Sequence, residues 1–260
     1  MTPALVPGPV LDDLGRRVDV PASVGRVVSL VPSLTEAVAA TGPGLLVGTT
    51  DWCTHPAELD VVRVRGTKNP DVARIVALRP DLVLANQEEN RRVDVEALTA
   101  AGVPVWVTDV RTLDGAFTSL ARMLAACGLP GAPPWLAEAR AAWDDVPEPA
   151  PDRRRRALVP IWRRPWMAVG SDTFTGSLLA RLGVDNVLAG APERYPHVDP
   201  AAVPAHDLVV LPDEPYPFGP DDGPEAFSGV ACALVPGRLI TWYGPSLTEA
   251  ARRLPALLAG

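Results

Sequence analysis

Four of the seven tryptophans sit where a run of Val, Leu and Ile gives way to polar residues. Trp52 lies in Thr50-Asp51-Trp52-Cys53-Thr54-His55. Trp162 and Trp166 bracket Arg163-Arg164-Pro165, and Trp242-Tyr243 lead into Gly244-Pro245. Asn86-Gln87-Glu88-Glu89-Asn90 and Pro212-Asp213-Glu214-Pro215-Tyr216 hold comparable positions. Aromatic faces beside Asn, Asp and Arg suit non-covalent capture of a flat or bulky apolar ligand with polar edges. The rings supply contact area at low entropy cost, and their polar neighbours fix orientation. Loops favour small turn-forming residues, so core packing alone does not account for aromatics gathered there.

The residues that would do covalent chemistry are poorly arranged for it. The chain has no GxxxxGK[ST] motif, no GxGxxG after a strand and no GxSxG elbow. Gly170-Ser171-Asp172 and Gly176-Ser177 carry serines without an evident histidine base. His55, His197 and His206 show no i, i+4 pairing and no nearby cysteine, so each reads as a loop residue and no metal ligand is assigned. Cys53, Cys127 and Cys232 form no CxxC pair and no disulfide framework, which fits a reducing compartment.

The elements that must position these residues alternate between strand and helix, the pattern of an α/β fold with mostly parallel strands. Strands are expected at Arg26–Val31, Leu45–Thr50, Asp81–Ala85, Pro104–Asp109, Arg156–Trp162, Asp207–Leu211 and Arg238–Trp242. Helices are expected at Asp71–Leu78, Val93–Ala101, Leu113–Cys127, Thr173–Leu182 and Ser246–Leu258. Another should open on a capping box, Ser33-Leu34-Thr35-Glu36, and stop at Gly42. Pro133–Asp145 reads as a connecting helix, followed by a break at Pro147, Pro149 and Pro151. The organisation expected is an N-terminal lobe, 1–112, connecting helices, 113–152, and a C-terminal lobe, 153–260. Each lobe has a mostly parallel sheet flanked by helices, and a single backbone helix joins them. In such sheets ligands bind beyond the carboxyl ends of the strands, where the aromatic segments fall.

With 260 residues the chain has the length of two lobes of roughly 110 to 130 residues. A net charge of −7 argues against a nucleic-acid or anionic-membrane binder. Lys68 is the sole lysine, and the one basic run, Arg153 to Arg156, reads as a solvated linker edge. Residues 1–20 show no secretory leader and no stretch approaches about 18 apolar residues, so a cytoplasmic location is expected.

Three segments carry a family resemblance. Arg26-Val27-Val28-Ser29-Leu30-Val31-Pro32-Ser33-Leu34-Thr35-Glu36, Gly48 to Pro56, and Ile75-Val76-Ala77-Leu78-Arg79-Pro80-Asp81-Leu82-Val83-Leu84-Ala85 resemble the helical-backbone periplasmic binding proteins that serve ABC importers of cobalamin, haem and ferric siderophores. The likeness runs over most of the chain and is strongest from Arg26 to Leu124. It implies two α/β lobes joined by one helix, with the ligand held between the lobes. Trp52 and Tyr195 fall where the cobalamin-binding member places ligand-stacking aromatics, whereas Asn86, Thr67 and Met167 stand where it has others. The family's permease-docking glutamates correspond to Ala73 and Ala201, with Asp71 and Asp199 nearby.

The reading that follows is a non-catalytic protein holding a corrinoid, a haem-like tetrapyrrole or a ferric chelate, and requiring no cofactor of its own. Trp52, Trp162, Trp166, Tyr195, Trp242 and Tyr243 would form aromatic walls. Asn86, Arg163, Asp172 and Glu214 would be polar contacts or supports for them. The alternatives are a true ABC importer receptor docking through Asp71 and Asp199, and an enzyme of tetrapyrrole or metal-chelate chemistry using His55 or His197 with Glu214.

Overall fold

The computed structural model describes residues 10–259. Packing divides them into two compact units. The first comprises the described residues up to Asp109 together with Phe117–Leu136, and the second comprises Val110–Ala116 and Ala137 onward.

The sheet of the first unit contains β1 (Val27–Ser29), β2 (Leu46–Thr49), β3 (Val62–Arg63), β4 (Leu82–Asn86) and β5 (Val105–Thr108). Its order is β3-β2-β1-β4-β5 and every pairing is parallel. β1 and β4 are buried along their whole length, as their unbroken apolar runs require for strands covered on both faces. Val28, Leu30, Val83, Ala85 and Val105 share a core with Ile75 and Leu98. The latter two come from α2 (Val72–Ala77) and α3 (Arg92–Ala100).

Helix α1 (Pro32–Thr41) ends at Gly42 as expected, but its start differs from the capping-box reading. Pro32 occupies the first turn, Val31 is the cap residue, and no side chain caps the helix. Proline's fixed φ and missing N–H suit that position, so the helix begins two residues early and Ser33 lies inside it.

In the second unit the order is β7-β6-β8-β9, again all parallel. These strands are β6 (Arg155–Leu158), β7 (Val184–Asn186), β8 (Leu208–Pro212) and β9 (Ala231–Val235). The strand expected over Arg156–Trp162 is interrupted: β6 stops at Leu158, and Pro160–Trp162 joins a small antiparallel pair with Met167–Ala168. The strand expected over Arg238–Trp242 is instead helix α7 (Gly237–Thr241). The Asp213 carboxylate accepts from Gly237 N at 2.6 Å and anchors the first turn, while Leu239 and Ile240 turn inward. Local capping and burial here override the β-propensity of Leu-Ile-Thr-Trp. The edge position is filled by β9, which pairs with β8 over five residues.

The remaining helices are α4 (Leu113–Ala126), α5 (Pro134–Asp144), α6 (Phe174–Arg181) and α8 (Ser246–Leu258). Leu247, Ala250, Ala251, Leu254 and Leu258 bury one face of α8 at helical spacing. The junctions between units fall inside α4, after Ala116, and inside α5, after Leu136, as well as after Asp109. Among the described residues no helix is long and apolar enough to cross a membrane.

Candidate functional site

In each sheet the strand order reverses about a central pair, β1/β4 in the first unit and β6/β8 in the second. The carboxyl ends of such pairs are where open α/β sheets take ligands. The segments after β2, β4, β6 and β8 carry most of the residues expected to bind.

In the first unit Trp52 is 66% exposed, and its loop is held from below. Arg63 Nη1 donates to Thr49 Oγ1 (3.0 Å), Thr50 O (3.0 Å) and Cys53 O (2.8 Å). The Cys53 thiol is buried 3.0 Å from Thr35 Oγ1 and 3.2 Å from Thr50 Oγ1. Burial pushes that thiol above its ordinary pKa, with the Thr35 hydrogen bond opposing. Trp52 also lies close to the hairpin of Arg65–Gly66 and Asn69–Pro70: a Cβ on Gly66 would stand 3.3 Å from its Nε1. A side chain at Gly66 would therefore press on the indole.

Asn86 is 3% exposed and shapes its loop rather than facing solvent. Its Oδ1 accepts from Glu88 N (2.8 Å) and Glu89 N (3.1 Å), and its Nδ2 donates to Thr108 O (3.1 Å). Of the two roles expected for it, direct contact and support, the geometry provides support.

The second unit gathers Trp162, Trp166, Tyr216, Phe218 and Phe227 into one aromatic cluster. Trp166 stacks on Phe218 (5.9 Å, 7°) and meets Phe227 edge-on, and Trp162 meets Tyr216 edge-on (5.7 Å, 81°). Trp162 is 43% exposed, whereas Trp166 is half-buried and packs on the unit's core. Arg163, expected as a polar contact or a support, is committed internally. Its guanidinium lies 5.1 Å over Trp166 and pairs with Asp222 and Glu225. Tyr216 Oη donates to Asp222 Oδ2 at 2.6 Å, a bond that holds the Asp222 carboxyl below its usual pKa and the Tyr216 phenol above its own. Arg163 thus ties 160–168 to 219–227.

Tyr195 is half-buried on a segment running beside 166–171. Ala168 N donates to Pro196 O (3.1 Å) and Gly170 N to Arg194 O (2.7 Å). Asp172 has φ +53° and receives Arg111 (2.5 Å) and Arg194 (3.3 Å). Glu214 is half-buried, with Thr241 Oγ1 donating to its Oε1 at 3.3 Å. Trp242 and Tyr243, expected as walls, are 8% and 7% exposed. Arg238 covers the Trp242 ring at 5.7 Å and Phe174 meets Tyr243 edge-on at 5.5 Å. The turn from α7 into α8 packs both rings inward.

Neither of two recesses within the single units is lined by these residues. One, about 660 Å³, involves Ala141, Val146, Leu182 and Pro255; the other, about 380 Å³, involves Leu11, Trp106 and Arg122. Among the described residues no group of three or more His, Cys, Asp or Glu side chains could hold a metal ion.

The periplasmic binding protein family model matches residues 27–203, and the chain belongs to that family. It is 30% identical over 184 residues to the vitamin B12-binding protein of Pectobacterium carotovorum subsp. carotovorum (strain PC1), covering 66% of this chain and 65% of that relative. It is 29% identical over 174 residues to the uncharacterized ABC transporter substrate-binding lipoprotein YvrC of Bacillus subtilis (strain 168), covering 63% of this chain and 55% of that one. The chain thus aligns with less than two thirds of either relative's length. The apo periplasmic haem-binding protein RhuT from Roseiflexus sp. RS-1 has the same fold, with a TM-score of 0.73 and 22% identity over 91% of this chain and 98% of that one. The words periplasmic and lipoprotein in these names lend no support to the cytoplasmic expectation.

Proposed function

We propose that this protein is a non-catalytic binding protein for a bulky metal chelate of the corrinoid, tetrapyrrole or ferric-siderophore type. Its contacts would include the carboxyl-end loop that carries Trp52. The observation that carries the reading is Trp52: a tryptophan two-thirds exposed, on a loop braced by Arg63, next to the switch point of a parallel sheet. A large apolar side chain held in place yet left in water has gained little from folding and stands ready for a ligand. Trp162 offers a similar face in the second unit, and Tyr195, half-buried, is fixed by its backbone neighbours. The relatives named for vitamin B12 and haem support the same ligand class.

The test is titration with cyanocobalamin, hemin and ferric siderophores while following tryptophan fluorescence. Saturable quenching by one of them is expected, and Trp52→Ala should weaken that binding about tenfold, as for a central aromatic contact. Absence of quenching by all three classes would overturn the proposal. His55→Ala with His197→Ala should leave the affinity unchanged, whereas an enzyme relying on either residue would lose turnover.

The Bacillus subtilis lipoprotein favours a second reading, delivery of the ligand to an ABC permease. Docking through Asp71 or Asp199 would draw on carboxylates that already have local bonds. Asp71 accepts from Arg74 N at 3.0 Å and Asp199 from Ala201 N at 3.0 Å. ATP-driven uptake of chelate loaded on this protein, in vesicles bearing an ABC permease from the same genome, tests that reading.

A further inference from the structure

The hairpin beside Trp52 is bonded on both flanks. On one, Asp51 N donates to Arg65 O at 2.9 Å, and Gly66 lies against the Trp52 indole. On the other, Asn90 Nδ2 donates to Thr67 O at 3.0 Å and Lys68 Nζ donates to Glu88 O. Asn90 is 6% exposed, and every bond to its side chain reaches a different stretch of backbone. Besides Thr67 O, Nδ2 lies 3.4 Å from Leu30 O beyond β1, and Oδ1 accepts from Asn86 N at 2.9 Å at the end of β4. Asn86 continues the lock to Thr108 on β5. One amide therefore joins the ends of the two central strands to the tip of the hairpin on which Trp52 leans. A buried amide whose donors and acceptor are all used holds its neighbours in a single arrangement, because any shift leaves a polar group unpaired.

We infer that Asn90 is a positioning residue that sets the orientation of Trp52 through the Arg65–Pro70 hairpin, without touching the ligand itself. The inference rests on the reading of Trp52 as a ligand contact. Asn90→Asp separates its two functions: it keeps an oxygen to accept from Asn86 N, but puts a carboxylate oxygen where the donor to Thr67 O and Leu30 O had been. If the hairpin transmits the effect, this variant should disturb Trp52 as much as Asn90→Ala does. Lys68→Met, which cuts the second tether at an exposed site, should act in the same direction and less.

The experiment labels the ligand-free protein with 5-fluorotryptophan and records fluorine NMR spectra, assigning the Trp52 resonance from its loss in Trp52→Phe. Asn90→Asp is expected to shift or broaden the Trp52 resonance while the buried Trp106 and Trp143 resonances stay in place. The affinity for whichever of cyanocobalamin, hemin or ferric siderophore binds should fall about fivefold, the equivalent of one lost neutral hydrogen bond. A Trp52 resonance that stays unmoved in folded Asn90→Asp and Asn90→Ala overturns the inference. Should the Asn90 variants fail to fold, the Trp52 resonance of Lys68→Met decides in the same way. Affinity of Trp52→Phe and Trp52→Ala tests the functional reading separately: if both bind every chelate like the native protein, that reading fails, while a moved resonance still establishes Asn90 as the residue that orients Trp52.

Discussion

At Gly170 the lack of a side chain lets another segment pass. A Cβ there would run into Glu193 O and stand 2.8 Å from Pro196 Cδ, the backbone on either side of Tyr195. Gly170→Ala must therefore push 193–196 away from 166–171, costing about 1–3 kcal/mol as an overpacking strain. Urea denaturation should show the loss, and Tyr195 should lose its fixed place. The cysteines make a second prediction at this scale. Burial pushes the Cys127 thiol up to about 12 and also raises Cys53. Since only the thiolate reacts, iodoacetamide at pH 8 should label half-exposed Cys232 first and reach the other two only on unfolding. The exposed Trp52 and Trp162 were legible in the sequence because their type and place conflict with loop composition, whereas Trp242 and Tyr243 carry the same pattern yet follow a helix and are buried. Arg63 and Asn90 were not, because their partners are mainly backbone carbonyls and the sequence does not say which carbonyls converge.

Among the elements, the strands covered on both faces were the easiest to read. β1, β2, β4, β5 and β8 each fall within a residue or so of an apolar run, because burial on both faces favours Val, Leu and Ile and leaves polar residues such as Ser29, Asn86 and Thr108 to the carboxyl ends, where they are hydrogen-bonded. The structure departs from the sequence pattern where a short apolar run is decided by its neighbours. Residues 238–242 have strand-forming side chains, yet Asp213, distant in sequence, caps them as a helix. Ala231–Val235, with smaller residues, makes the strand. Edge strand β7 was missed for the related reason that three residues carry too little pattern. It is fastened at Asp185, which receives Arg154 Nε at 2.8 Å. That hydrogen bond holds the Asp185 carboxyl below its ordinary pKa. A carboxylate lowered on folding stabilises the native state above its unfolded pKa and ceases to do so as pH falls through the folded value. The pair is partly exposed, so Asp185→Asn should cost less than about 1 kcal/mol at pH 7. The difference between variant and native protein should shrink as the pH is lowered through and below the ordinary carboxylate range, as followed by thermal melts.

For the molecule as a whole, the two-unit α/β plan was visible from alternation and length, while the course of the chain through it was not. The boundaries expected at 112 and 152 treat the connection as a simple bridge. The structure instead returns 117–136 to the first unit after 110–116 has been given to the second. Both loans are used. Ser119 and Arg122 bond to Asp13 in the first unit, and Arg111 pairs with Asp172 in the second, where Leu113 N also donates to Ser177 Oγ. Trp143, outside the segment 153–260, is 2% exposed and donates to Leu247 O at 3.0 Å. Expressed alone, 153–260 should therefore lack a fixed tertiary structure, visible as weak near-ultraviolet dichroism. In the intact protein, a chelate at 100 times its Kd should add about 2.7 kcal/mol and raise the melting temperature measurably.

The doubled exchange of chain also constrains how such a protein can diversify. Any one breakpoint in the gene leaves at least one unit short of a segment it packs around: a cut after Leu136 preserves the first unit but strips Val110–Ala116 from the second. A single crossover between relatives therefore carries one unit whole and leaves the other a mixture of both parents. Three breakpoints, after Asp109, Ala116 and Leu136, are needed to replace one unit and leave the other unmixed.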